Sequence, residues 1–144
     1  MNILFMDRIL LIDDDIDDAG LFREALDRVA PSVSLQCFSE GEEALQSLME
    51  EKNALPDIIF LDINMPKVNG WECLAKLRKA GRLKQVPVFI YSTSSEDREV
   101  KKAITLGANG LIRKPDDFTQ LKQMLTSILA QPVGQLVETL QTNI

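Results

Sequence analysis

Five short apolar runs, each followed by a segment of helical period, divide the chain and leave few architectures open. The first run is Ile9–Ile12, and the helix after it carries Phe22, Ala25, Leu26 and Val29 on one face before Pro31 ends it. Val33–Cys37 reads as a weaker second strand. Ser39 and Glu42 form a capping box that opens a second helix, with Ala44, Leu45, Leu48 and Met49 as its stripe. Asp57–Leu61, announced by Pro56, is the third strand. The helix predicted over Asn69–Ala80 turns Leu74 and Leu77 inward and stops at Gly81. Val88–Tyr91 is the fourth strand, and the helix after it starts at Ser94 or Ser95, carries Val100, Ala103 and Ile104, and closes at Gly107. Gly110–Ile112 and Phe118–Ala130, with Leu121, Leu125 and Leu129, complete the series. Strands joined through helices run parallel, and right-handed crossovers place helices on both faces. The expected fold is therefore α/β, a doubly wound five-stranded parallel sheet.

A chain of 144 residues suits one such domain. It is expected over residues 8–130, with residues 131–144 as a C-terminal tail. In the tail, Pro132 suits a first helical position, and Val133, Leu136, Val137 and Leu140 share one stripe. A short helix packing on the domain or on a second copy is predicted there.

Composition removes several functions. The formal net charge of −6 disfavours nonspecific nucleic-acid binding and an anionic membrane surface. No apolar run approaches the ~18 residues of a membrane helix. Cys37 and Cys73 sit at no metal-ligand spacing and read as reduced thiols of a cytosolic protein. The chain has no histidine, which excludes Ser-His-Asp and Cys-His catalysis, histidine-ligated zinc and a phosphohistidine role.

In doubly wound sheets ligands bind outside the carboxyl ends of the strands. Those ends carry Asp13 and Asp14, then Asp62, then Ser92 and Thr93, then Lys114. Three carboxylates in one cup repel unless a cation sits among them, and hard oxygen ligands beside an open position suit Mg2+. Asp62 can then act as a nucleophile toward phosphorus, with a hydroxyl, an ammonium and the metal each holding a phosphoryl oxygen. Asp15 reads as the cap of the first helix, with Asp17 and Asp18 favoured by the positive end of its dipole.

The motifs ILLIDDD, FLDINMPKVNG, PVFIYSTS and GANGLIRKP, in this order and spacing, resemble those of bacterial response-regulator receiver domains over Arg8 to Ala130. The resemblance implies the flavodoxin-like receiver fold and a stand-alone signalling protein, similar to chemotaxis regulators, rather than an enzyme. It makes Asp62 the phospho-acceptor. Asp14 becomes a direct Mg2+ ligand, Asp13 a ligand largely through water, and Asn64 a ligand through its backbone carbonyl. Ser92 becomes the hydroxyl that follows the phosphoryl group and Lys114 its ion-pairing lysine, with a cis Lys114–Pro115 bond aiming it. The donor would be a sensor histidine kinase or a histidine phosphotransfer protein in the cytoplasm. The output would be a downstream protein target, read on the fourth helix, fifth strand and fifth helix, with a second copy as a further candidate partner and no nucleic acid or membrane. Leu111 stands where receivers often carry an aromatic switch, so the signal is expected from movement of Ser92 and its loop. Two alternatives remain at this point: a receiver-like scaffold without phosphorylation, and a phosphatase whose aspartate nucleophile is Asp13 in the D-x-D of DDDID. The phosphatase would need a further acidic pair, which Asp116–Asp117 supplies poorly.

Overall fold

The computed structural model describes residues 4–64 and 69–132. Its strands are β1 (Arg8–Ile12), β2 (Ser34–Phe38), β3 (Ile58–Leu61), β4 (Val88–Ser92) and β5 (Gly110–Arg113). Its helices are α1 (Ile16–Val29), α2 (Gly41–Met49), α3 (Gly70–Lys79), α4 (Asp97–Thr105) and α5 (Phe118–Leu129), with a 3-10 turn at Gly81–Leu83. One parallel sheet runs in the order β2-β1-β3-β4-β5. Strand order therefore reverses beside β1 and β3, the crevice where such sheets bind ligands.

The pleat sorts the core into two layers. Ile9 and Leu11 of β1 join Phe22, Leu26, Leu125 and Leu129 under α1 and α5. Leu10 and Ile12 join Leu48, Leu74 and Leu77 on the opposite face, under α2 and α3. This alternation within a continuously apolar strand is what a sheet covered on both faces requires. Phe22, Phe60 and Tyr91 meet edge to face, with centroids 5.4 to 5.8 Å apart.

Three of the five helices open on a side-chain cap. Asp15 accepts from the Asp18 N–H, Asn69 from Trp71 and Asp117 from Gln120. The expected Ser39 cap is absent: α2 begins at Gly41, its N-cap is Glu40, whose side chain does not cap the helix, and Ser39 lies one residue too early. α4 likewise begins at Asp97 rather than at Ser94 or Ser95. It ends as expected at Gly107, whose φ of 103° only glycine adopts easily. The Gly107 N–H donates to Ile104 and that of Ala108 to Ala103, which makes this end a Schellman motif. Met49 and Ile104, placed in buried stripes by their spacing, are 48% and 43% exposed. Each lies one position beyond the last residue its helix buries, Leu48 and Ala103, so the apolar stripes are narrower than the pattern suggests.

At the amino end of the sheet, Arg78 donates to the carbonyls of Leu83 and Val86, and Arg82 to those of Leu48, Glu51 and Asn53. At the other end, Lys102 of α4 lies 4.8 Å from the ring centroid of Trp71 on α3. Cys37 and Cys73 are free thiols, and burial pushes Cys73 up to about 11. The predicted tail helix, with Val133, Leu136, Val137 and Leu140, lies outside the described residues.

Candidate functional site

The carboxyl rim of the sheet is built by backbone pairing before any side chain is considered. The Asp13 N–H donates to Phe38 O, the Asp62 N–H to Ile12 O and the Lys114 N–H to Ser92 O. The ladder thus continues one step past each strand and brings β1, β3, β4 and β5 to one edge with their next residues in reach. Asp13 and Asp62 are 3% and 4% exposed and Ser92 is fully buried, so the charges sit at the lip of the core rather than in open water.

Carboxylate oxygens of Asp13, Asp14 and Asp62 all lie within 4.8 Å of one another. The Lys114 ammonium pairs with Asp13 at 2.9 Å and with Asp18 at 2.8 Å, and stands 3.7 Å from Asp62. The second oxygen of Asp13 accepts from the Asp15 N–H, and Asp62 accepts from the Asn64 N–H, each at 3.0 Å. A solvent-open cavity of about 330 Å³ lies over these groups, lined by Asp14, Asp18, Asp62, Asn64, Thr93 and Lys114. The Lys114 ammonium also lies 5.5 Å from the Tyr91 ring, which roofs it on the apolar side.

Electrostatics follows from this packing. Burial raises Asp13 to about 6, against the opposing pull of its hydrogen bonds from Lys114 and the Asp15 N–H. Burial alone would lower Lys114, yet its hydrogen bonds to Asp18 and Asp13 carry it above the ordinary lysine value. Burial also raises Tyr91. The cup therefore holds four carboxylates, Asp13, Asp14, Asp18 and Asp62, against one ammonium. That excess of negative charge, an all-oxygen donor set and an opening to solvent fit a hard divalent cation that keeps some of its water.

The structure brings Asp13, Asp14, Asp62 and Lys114 together as the sequence predicts, with Asn64 beside them. Ser92 lies at the expected strand end, and its hydroxyl oxygen accepts from the Ser94 N–H at 3.2 Å. The cis Lys114–Pro115 bond is not present: among the described residues every peptide bond is trans. Trans is the lower-energy state of an X–Pro bond, and here two carboxylates aim the lysine without help from the backbone. Asp18 is the site residue that the sequence reading assigned only to the helix dipole. A signal was available: a carboxylate in the third position of a helix can turn back to the cap N–H. In this chain Asp13 has already taken that N–H.

A family model described as the response regulator receiver domain matches residues 9–126. The chain is 30% identical over 122 residues to the chemotaxis protein CheY1 of Helicobacter pylori, covering 85% of this chain and 96% of that one. Among solved structures, the phosphorylated cyanobacterial phytochrome response regulator RcpA superposes with a TM-score of 0.75 at 33% identity, over 85% of this chain and 91% of that one. The Mn2+-bound form of the response regulator Rcp1 gives 0.73 at 29%, over the same shares. Several transcriptional regulators are matched over about half their length.

Proposed function

The chain belongs to the response-regulator receiver family, and from that premise we propose that it accepts a phosphoryl group on Asp62 and relays the event through α4, β5 and α5. The observation that carries this reading is the cup itself: three carboxylates within 4.8 Å, with the Lys114 ammonium 3.7 Å from Asp62.

The chemistry asks little of the protein beyond placement. A carboxylate oxygen of Asp62 attacks phosphorus, a P–O bond forms, and the bond to the donor breaks. With no histidine in this sequence, a phosphohistidine donor lies outside it, on a sensor kinase or a phosphotransfer protein. Its imidazole leaves with the electron pair of the broken P–N bond. Lys114, held over the cup, neutralises charge on one phosphoryl oxygen, and the Ser92 hydroxyl is the candidate for another. Asp14, Asp62 and the carbonyl of Asn64, with Asp13 acting through water, would hold Mg2+. When bound, the ion supplies the positive charge that lets four carboxylates tolerate an incoming anion. The phosphorylated state of RcpA and the Mn2+-bound state of Rcp1 support phosphorylation and divalent-metal binding as the reading for this chain.

The reading places the protein in the cytoplasm beside its kinase, with a downstream protein as its target and no nucleic acid or membrane. Incubation with acetyl phosphate and Mg2+ followed by intact-mass measurement tests it. One added phosphoryl mass, absent in Asp62→Asn, is the expected result. A label on Asp13 would favour the phosphatase alternative. No label at all would leave a scaffold.

A further inference from the structure

We propose that Asp18 is a positioning residue for Lys114, fixing the ammonium at a distance from Asp62 that suits a phosphorylated carboxylate better than a bare one. The proposal rests on the reading that Asp62 is phosphorylated.

Asp18 occupies the third position of α1. A carboxylate there commonly closes a capping box by accepting the N–H of the cap residue. In this chain the Asp15 N–H donates to Asp13 instead, 3.0 Å away. The Asp18 N–H still donates to the Asp15 side chain, so the cap itself is made. The Asp18 carboxylate is thereby left without its usual partner and reaches into the cup, where it accepts from Lys114 at 2.8 Å.

A lysine ammonium has three N–H donors. Asp13 takes one at 2.9 Å and Asp18 takes another at 2.8 Å, so two elements, the end of β1 and the first turn of α1, hold the same nitrogen. Asp62, at 3.7 Å, is attracted by charge but lies beyond hydrogen-bond reach. A phosphoryl group on Asp62 extends the anion outward from the carboxylate. Its oxygens can then meet the third donor while the other two stay bound. An interaction that becomes short only in the modified state stabilises that state and the path to it, rather than the resting carboxylate. Without Asp18, a single tether remains and the ammonium is free to close on Asp62.

Asp17 provides the control. It stands in the same first turn and faces the same helix dipole, but it is exposed, and the ion pairs of Lys114 are with Asp13, Asp18 and Asp62 instead. Two measurements on the full chain decide the matter. The first is the rate of labelling by acetyl phosphate at saturating Mg2+. The second is the NMR signal of the Lys114 ammonium in metal-free protein, whose protons exchange slowly only while held. Asp18→Asn, which keeps the side-chain shape, should slow labelling several-fold and broaden the ammonium signal. Asp17→Asn should do neither. A normal labelling rate or an unchanged ammonium signal in Asp18→Asn overturns the proposal. If the wild type takes no label, the phospho-acceptor reading fails, and the ammonium signal still tests the tether by itself.

Discussion

The Ser92 hydroxyl oxygen and the Ser94 N–H are joined at 3.2 Å, and the Ser94 hydroxyl donates onward to Glu99 of α4 at 3.0 Å. The strand end that faces the cup is thus linked through two hydrogen bonds to the helix proposed as output. Leu111 is buried in β5, and this chain of contacts is the route proposed for the signal. Ser94→Ala removes the second link at a cost of about 1 kcal/mol of stability. Beryllofluoride with Mg2+ should then still shift Asp62 and Asn64 in NMR spectra, while the shifts over Asp97–Thr105 shrink. Undiminished α4 shifts in the variant would show that the signal leaves by another face.

Mg2+ should raise the melting temperature of the wild type. At a hundredfold excess over its dissociation constant a ligand adds about 2.7 kcal/mol to the folded state. Asp14→Asn, which removes the half-buried carboxylate from the cluster, should lose most of that gain. It should also melt higher than the wild type without metal, because one source of repulsion is gone. Equal metal-induced shifts in the two proteins would contradict the site.

Asp13 gives the metal-free protein a pH dependence of definite sign. Its carboxyl is raised from 3.8 to about 6 in the folded state, so folding favours the protonated form. That stabilising preference is present at low pH and is lost as pH rises from 3.8 to about 6. The loss is on the order of 3 kcal/mol, at ~1.4 kcal/mol per pKa unit. Asp13→Asn should remove this slope from denaturant-derived stabilities measured between pH 4 and 7, approximately the span of the titration. A variant whose stability falls as steeply as that of the wild type over this span would refute the assignment.

Gly70 and Gly20 should respond to alanine in opposite ways. A Cβ at Gly70 would lie 2.3 Å from Ile63 Cα and 2.6 Å from the Asp62 carbonyl oxygen, both backbone atoms. Gly70→Ala must therefore displace the loop that carries Asp62, lowering stability by roughly 1–3 kcal/mol and slowing the proposed labelling of Asp62. At Gly20, an exposed position of α1, a Cβ meets nothing within 4 Å, and alanine should stabilise by about 0.5–1 kcal/mol. Thermal melts of the two variants that move in the same direction would disprove this account.

What could be read from the sequence was set by how local the responsible physics is. The strands announced themselves through continuous apolar runs, and Asp15, Asn69 and Gly107 through backbone needs met within a few residues. Asp13, Asp14, Asp62 and Lys114 could be placed together because a parallel sheet puts all strand ends on one rim. The failures were competitions between alternative partners for the same group. Ser94, read as a helix start, lies ahead of Asp97 where α4 begins, and its hydroxyl bonds to Glu99. Asp18 turned from its own helix to a lysine 96 residues away because Asp13 had occupied the N–H it would have used. Met49 and Ile104 lie at the edges of their helical stripes, where period alone does not say which side the neighbouring element covers.

The Lys102–Trp71 contact has an optical consequence. Trp71 is the only tryptophan in the chain, and the cation that sits over its ring belongs to a different helix. α3 leaves from the loop that bears Asp62, and α4 from the loop that follows Ser92, so the indole meets the other helix through this contact. Emission from an indole depends on the charge lying over it. A sliding of one helix past the other would therefore appear as a change in the colour or brightness of the native chain, with no dye attached and no residue replaced.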